Sequence, residues 1–268
     1  MQYSRVMAVI PHLDLDLLAR ALGGAACRFD ADLLASCDST NAVLLARAEA
    51  GAPSGSVVIA EAQTAGRGRR GRAWLSAPGD SLTFSLLWRF SPGTLPAGLS
   101  LAVGLAVACG VERLGAGGTA IRLKWPNDVL LDGRKLGGIL IELLPGAPHA
   151  AVIGIGLNLR LPAAMPAELR AQAAALETPV DPNVLLAALL VELRAALESF
   201  AVAGFAGLRA AWTAHHAFEN APVRLLTDFA PPRAGICRGV DVDGALLLET
   251  DAGVERVLSG ELSLRSAA

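Results

Sequence analysis

Gln63-Thr64-Ala65-Gly66-Arg67-Gly68-Arg69-Arg70-Gly71-Arg72-Ala73-Trp74 is the stretch around which the rest of the chain is organised. Three glycines and four arginines fall between Gly66 and Arg72, and no acidic residue occurs between Ala62 and Gly79. Glycine permits positive φ, which turns backbone N–H groups toward a ligand, and guanidinium groups offer paired donors that fit carboxylate and phosphate oxygens. Gly66, Gly68 and Gly71 are therefore expected at positive φ in an anion-binding loop. Val57-Val58-Ile59-Ala60-Glu61 before it and Ser81-Leu82-Thr83-Phe84-Ser85-Leu86-Leu87-Trp88 after it read as buried strands, so the loop hangs between two core strands.

A Gly/Arg run also suits a disordered RNA-binding segment or a solvated charged loop without a ligand. A single short copy inside a folded-looking domain weighs against the first. The run is not a Walker A loop, which needs Gly-x-x-x-x-Gly-Lys-Ser/Thr, and it does not open a helix as a Rossmann fingerprint does.

A chain of 268 residues with 53% hydrophobic content fills the core of one large domain plus a small one. A formal charge of −2 argues against a general nucleic-acid binder and makes the arginine loop a local site. Apolar runs are broken well short of the roughly 20 residues that a membrane span requires. The first 26 residues carry Asp14 and Asp16 and lack the order of a secretory signal, so a cytoplasmic protein with no membrane partner is expected. Cys27, Cys37, Cys109 and Cys237 form no C-x-x-C pair, which fits reduced thiols, and the four histidines show no metal-ligand spacing. Of 23 basic residues only Lys124 and Lys135 are lysines. Against an all-arginine background they mark places for a compact, flexible ammonium, with coincidence as the alternative.

In chain order, Leu13 to Leu22 has helical spacing and stops at Gly23-Gly24. Asp38-Ser39-Thr40-Asn41 precedes a second helix; capping explains one of these polar residues and leaves others for a polar ligand head. Pro96 to Leu114 reads as a long buried helix ending in Gly115-Ala116-Gly117-Gly118. Asp132-Gly133 between apolar runs is a hairpin signal that puts Asp128 and Lys135 on facing strands, either converging on a site or forming a plain salt bridge. Ala150 to Leu159 reads as a core strand in which Gly154 and Gly156 permit close approach and Asn158 stands at the end. Leu161 to Pro182 is expected to be a mobile connection with a short helix, followed by an amphipathic helix from Val184 to Phe200 and another through about His215. After Asn220 come short strands, Val223–Leu226, Ile236–Val240, Ala245–Glu249, Val254–Leu258 and Leu262–Arg265, as in a small β-barrel.

Taken in order, Gln63 with Gly66 to Arg72, Lys124-Trp125-Pro126-Asn127-Asp128, Arg134-Lys135-Leu136-Gly137-Gly138-Ile139-Leu140 and Gly154-Ile155-Gly156-Leu157-Asn158 resemble the motifs of the biotin–protein ligases. Gly244 to Leu248 and Gly260-Glu261-Leu262-Ser263-Leu264 are similar to that family's small C-terminal domain. The resemblance implies an α+β fold: a mixed-sheet catalytic domain packed with helices over 1–219, and an SH3-like β-barrel over 220–268. It implies ATP-dependent activation of biotin to biotinyl-adenylate, then transfer to a lysine of a carrier protein, the biotin carboxyl carrier protein of acetyl-CoA carboxylase.

Carried over, Ser39, Thr40, Asn41 and Gln63 would hold the polar ring of biotin, and Arg67, Gly68 and Arg69 would close over biotin and the adenylate phosphate. Lys135 would span the biotin carboxylate and the α-phosphate. Arg67, Arg69, Arg70, Lys124, Asn127 and Asn158 would form the ATP side, with Mg²⁺ held mainly through the ATP phosphates. Lys135, Arg69 and Asp128 are the implied catalytic set, Asp128 also steering or deprotonating the incoming lysine.

Three departures stand out. The winged helix-turn-helix that some members carry is not evident before the first matching helix, so no DNA partner is expected; a homodimer is left open. No aromatic residue lies between Leu157 and Pro182 to stack on adenine, and Gly137 stands where the family often has alanine. A lipoate–protein ligase of the same fold is the alternative. A nucleic-acid-binding regulator is another, but it leaves the two lysines, Asp128 and Pro126-Asn127-Asp128 unexplained.

Overall fold

Strand alternation decides which face of the main sheet carries the site. A computed structural model of the chain describes residues 12–115, 121–163, 165–176, 180–227, 231–258 and 262–267. Ala116 to Gly118 of the expected helix stop, and Gly260 and Glu261 of the C-terminal motif, lie outside the described residues.

The first half of the chain runs α1 (Leu15–Leu22), β1 (Asp30–Leu34), α2 (Thr40–Glu49), β2 (Ser56–Ala60), β3 (Ser81–Arg89) and α3 (Leu99–Arg113). Then come β4 (Ile121–Lys124), β5 (Asp128–Leu131), β6 (Arg134–Leu144), β7 (Ala147–Asn158), α4 (Ala167–Gln172), α5 (Pro182–Ala203) and α6 (Arg209–Ala214). β1 to β7 form a seven-stranded mixed sheet in the order β1-β2-β3-β7-β6-β5-β4. Only the β1–β2 pair is parallel.

Val57 and Ile59 of β2, Leu82, Phe84 and Leu86 of β3, and Ile153, Ile155 and Leu157 of β7 share one core with α3 and α5. Val58, Leu87 and Val152 point the other way, into a second cluster with Leu44 and Ala48 of α2. Because side chains alternate across a strand, Thr83 and Ser85 belong with that second face, as do Gly154, Gly156 and Asn158. Leu140 pairs with Gly154 and Gly138 with Gly156, which brings β6 into the same row.

Helix ends follow local chemistry. Asp14 caps α1 by accepting from Leu17 N at 2.9 Å. Asp181 caps α5 at Asn183 N, with Pro182 in the first turn where its missing N–H costs nothing, so the helix begins two residues before the apolar pattern does. Buried Asn183 then ties the two helices together, accepting from Asp14 N at 2.8 Å. The segment expected to be mobile is anchored where it passes the sheet: Ala174 N donates to Lys135 O and Leu176 N to Asn158 O, and residues 173–176 are buried.

The last strands, β8 (Pro222–Thr227), β9 (Arg233–Val240), β10 (Leu246–Thr250), β11 (Gly253–Val257) and β12 (Leu262–Ser266), form a separate five-stranded antiparallel sheet, order β11-β10-β9-β8-β12. This is the expected small C-terminal unit. It is fastened to the main sheet by the Trp125 indole, which is fully buried and donates to Gly244 O at 3.0 Å. No helix among the described residues is long and apolar enough to cross a membrane.

Candidate active site

Glycines hollow out the sheet face beside α2. A Cβ on Gly154 would stand 2.2 Å from Asn41 Oδ1, and one on Gly156 would stand 2.5 Å from the Trp74 ring. The missing side chains admit Asn41 and the Trp74 indole onto the sheet and leave a cavity of about 560 Å³ above β3, β6 and β7. Among the described residues, every residue expected at the site lines it: Ser39, Thr40, Asn41, Gln63, Arg67, Gly68, Arg69, Arg70, Lys124, Asn127, Asp128, Lys135 and Asn158.

The start of α2 forms a polar floor. Ser39, Thr40 and Asn41 are all buried, yet the Ser39 side chain caps nothing in the helix. The orphan N–H of the buried first turn is met from outside the helix instead, because Gln63 Oε1 accepts from Thr40 N at 2.8 Å. That bond fixes the Gln63 amide. Asn41 is fully committed within the protein, donating to Glu142 Oε2 at 2.7 Å and Leu140 O at 3.3 Å and accepting from Ser85 Oγ at 2.6 Å. Of the three helix-start residues, Ser39 and Thr40 are the ones with polar capacity left for the cavity.

The arginine loop is more ordered than its composition suggests. Arg67 bridges Ala73 in antiparallel fashion, Gly68 N donates to Arg72 O at 2.7 Å and Trp74 N donates to Gly66 O at 2.8 Å. The sequence expectation of three glycines at positive φ is corrected here: Gly71 has φ 67° and its neighbour Arg70 has φ 61°, whereas Gly68 has φ −108°. Gly66 is required for space, since a Cβ there would stand 2.7 Å from Trp74 O. Gly68 spends its N–H inside the loop. The loop therefore presents guanidinium groups to the cavity more than backbone amides. Arg69 Nη1 donates to Asn127 Oδ1 at 3.2 Å, and burial pulls its guanidinium below its ordinary value despite nearby Asp128.

The hairpin signal at Asp132-Gly133 delivers a three-membered charge cluster. Lys124, at the end of β4, places Nζ 2.6 Å from Asp128 Oδ2, and Lys135, on β6, places Nζ 2.7 Å from Asp128 Oδ1. The only two lysines of the sequence thus flank one carboxylate. Burial raises the Asp128 carboxyl, but Lys135 and Lys124 more than reverse this and hold it below the usual carboxylate value. Burial lowers the Lys124 ammonium, opposed by Asp128. Lys124 is 10% exposed and Lys135 40%, so Lys135 is the one that faces the cavity contents. Asn127 Nδ2 donates to Ile139 O at 3.0 Å, and Asn158 Nδ2 to Ala174 O at 2.9 Å, fixing both amides from behind.

Several lining or supporting residues had no signal in the sequence reading. Trp74 closes one wall, Met165 and Leu169 supply apolar surface in the stretch that lacks an aromatic ring, and Leu264, Arg265 and Ser266 reach in from β12. Ser85 and Glu142 stand behind the lining and hold it through Asn41 and Thr40. Period-2 patterning around Ser85 and Glu142 could have found them, as polar residues facing the same way as Gly154.

Residues 33–158 match the model of the Biotin/lipoate A/B protein ligase family, and residues 222–265 match that of the Biotin protein ligase C terminal domain. The chain is 43% identical over 236 residues to the Bifunctional ligase/repressor BirA of Escherichia coli, an alignment covering 86% of this chain and 72% of that protein. It is 37% identical over 261 residues to the Biotin--[acetyl-CoA-carboxylase] ligase of Mycobacterium tuberculosis, covering 94% and 96% of the two chains. The fold is similar to that of a biotin protein ligase from Aquifex aeolicus in complex with biotin and ATP, with a TM-score of 0.78, 30% identity and coverage of 89% and 99%.

Proposed function

This chain belongs to the biotin/lipoate A/B protein ligase family, and from that premise we propose how its own residues carry out the reaction. It is an ATP-dependent biotin–protein ligase. In the first step a biotin carboxylate oxygen attacks the α-phosphorus of ATP, the bond to pyrophosphate breaks, and biotinyl-adenylate forms. In the second, a lysine amine attacks the acyl carbon, AMP leaves and the amine loses a proton.

The observation that carries the residue assignment is one cavity joining an uncharged polar floor to a strongly cationic wall. Ser39, Thr40 and Gln63 make the floor, and eight basic residues stand against a single acidic one, Asp128, among the described lining residues. Two anions must approach one another, and preorganised cations held away from water lower that barrier. Lys135 is the ammonium placed to follow charge from the carboxylate to the bridging oxygen, held in place by Asp128. Arg69 and Arg67 cover the phosphate from the loop, with Arg70 and Lys124 adding positive potential. Asn127 and Asn158 fix the shape of the nucleotide side. Asn41 supports the floor through its internal bonds.

Asp128 is a weak base in this setting, because both oxygens face ammonium groups. Its part is to orient Lys135 and to steer an incoming lysine by charge. The described residues hold no group of three or more His, Cys, Asp or Glu side chains suited to a metal. Mg²⁺ would be held mainly through the ATP phosphates, where it would screen their charge. The carrier proposed is the biotin carboxyl carrier protein of acetyl-CoA carboxylase, and the boundary between the two units is placed at 219/220. The four cysteines are free, which suits a reducing cytoplasm.

A lipoate ligase would share the cationic wall, but the dithiolane ring of lipoate has no N–H or C=O for the Ser39, Thr40 and Gln63 floor. Mass spectrometry of the protein with ATP, Mg²⁺ and an equal mixture of biotin and lipoate tests the assignment. Biotinyl-adenylate as the sole acyl-adenylate is expected; lipoyl-adenylate as the main product would overturn it.

A further inference from the structure

The polar groups beneath the cavity are wired in one direction. Asn41 Nδ2 uses its two hydrogens on Glu142 Oε2 and Leu140 O. A carboxylate accepts and does not donate, so the NH₂ end of the amide faces Glu142 and the carbonyl end faces Ser85. Ser85 Oγ lies 2.6 Å from Asn41 Oδ1 and 2.7 Å from Thr40 Oγ1. The single Ser85 hydrogen must go to the carbonyl, which cannot donate, so the contact to Thr40 is a bond that Thr40 donates. Gln63 Oε1 lies farther from that hydroxyl, at 3.2 Å, and already accepts from Thr40 N at 2.8 Å. The Thr40 proton is therefore spent on Ser85, and its oxygen offers the cavity lone pairs only.

Ser85, the middle link, is 0% exposed and stands behind the cavity lining, so water does not reach it to reverse this order; Thr40 and Asn41, at 4% and 3%, meet only the cavity. The Asn41 carbonyl is further seated by Gly154, where a Cβ would stand 2.2 Å from Oδ1. Glu142 itself does not line the cavity. Its other oxygen lies 3.5 Å from Arg67 Nη2.

We propose that Glu142 is a positioning residue that, as the nearer of two acceptors on the Asn41 amide, holds the hydrogen-bond direction of the Glu142–Asn41–Ser85–Thr40 chain. The Thr40 hydroxyl then meets the ligand as an acceptor and selects a ring that carries an N–H donor. The inference rests on biotin as the ligand, whose ureido ring carries such donors. A neutral isostere weakens the direction, because an amide at position 142 can present its NH₂ to Asn41. Only the longer 3.3 Å bond to Leu140 O then opposes Asn41 turning over, and a turned Asn41 releases the Thr40 O–H toward the ligand N–H.

Calorimetric titration of biotin into the full-length protein without ATP tests this, using the parent, E142Q, T40V and T40V/E142Q. E142Q is expected to weaken biotin binding about tenfold, the effect of setting one donor against another. In the T40V background, where no hydroxyl remains to turn, E142Q is expected to change Kd by less than about twofold, showing coupling of the two sites. S85A breaks the same chain at its middle link and serves if E142Q melts early; it should weaken biotin similarly and make E142Q silent in its background. An equal E142Q penalty with and without the Thr40 or Ser85 hydroxyl, or parent-like binding by E142Q, would overturn the inference alone. A parent protein that binds no biotin would sink the ligand assignment and this inference with it.

Discussion

Lys135 Nζ sits 2.7 Å from Asp128 Oδ1 across the irregular register between β5 and β6. The bond aims an ammonium that is 40% exposed into the cavity while its partner is buried. Orientation is the contribution of Asp128, and the same buried carboxylate also balances Lys124 from the other side.

Asp128→Asn should therefore cost stability as well as activity. It leaves the buried Lys124 ammonium without its counter-charge, a loss of about 3–5 kcal/mol for breaking a buried pair. The pH dependence has a defined sign. The folded-state pKa of Asp128 is depressed below its ordinary 3.8. Its contribution is thus complete above that value and is lost as pH falls through the lower folded value. Thermal melts of parent and variant should differ most near neutral pH and converge in acid below pH about 4. A gap that widens in acid would contradict the assignment.

Arg69→Gly should loosen the loop. It removes a charge-assisted contact to Asn127, worth about 1.5–3 kcal/mol, from a loop whose ends are otherwise held by backbone bonds. Faster release of biotinyl-adenylate is expected, with biotin appearing on bystander lysines. Unchanged release and strict carrier selectivity would show that the loop is no cover.

Gly156→Ala should distort the cavity wall, because the new methyl would overlap the Trp74 ring, 2.5 Å from its nearest carbon. Overpacking of this kind costs about 1–3 kcal/mol. A lowered melting temperature and a shifted indole emission are expected, together with slower adenylate formation. Parent-like melting and emission would mean that the wall yields freely.

Much of the site was legible because its chemistry is clustered in the sequence. The arginine loop lies between β2 and β3 as its flanking apolar runs require, and Asp132-Gly133 makes the turn that brings Lys135 to Asp128. Lysine usage alone singled out Lys124 and Lys135, but nothing local showed that both would meet one carboxylate. Ser85 and Glu142 stayed hidden because they sit in strands that read as core, and their polar role depends on Asn41 arriving from another element. Trp74 was equally silent, since its seat is the space left by Gly156 on a distant strand. The loop glycines were read for backbone freedom, whereas Gly66 is needed for close approach to Trp74 O. Sequence gives which residue types are available; the pairing of distant strands decides which of them meet.

Single-turnover formation of biotinyl-adenylate by Lys135→Arg tests the central claim most directly. Arginine keeps the charge but replaces a small ammonium on a flexible stem with a bulkier planar fork, next to Gly138, where even a Cβ would come within 3.2 Å of Lys135 Nζ. The variant should melt like the parent and form adenylate at least about a hundredfold more slowly, as expected for losing one well-placed electrostatic donor. A folded variant that forms biotinyl-adenylate within a few-fold of the parent rate would contradict the account and move the catalytic charge to Arg67 and Arg69.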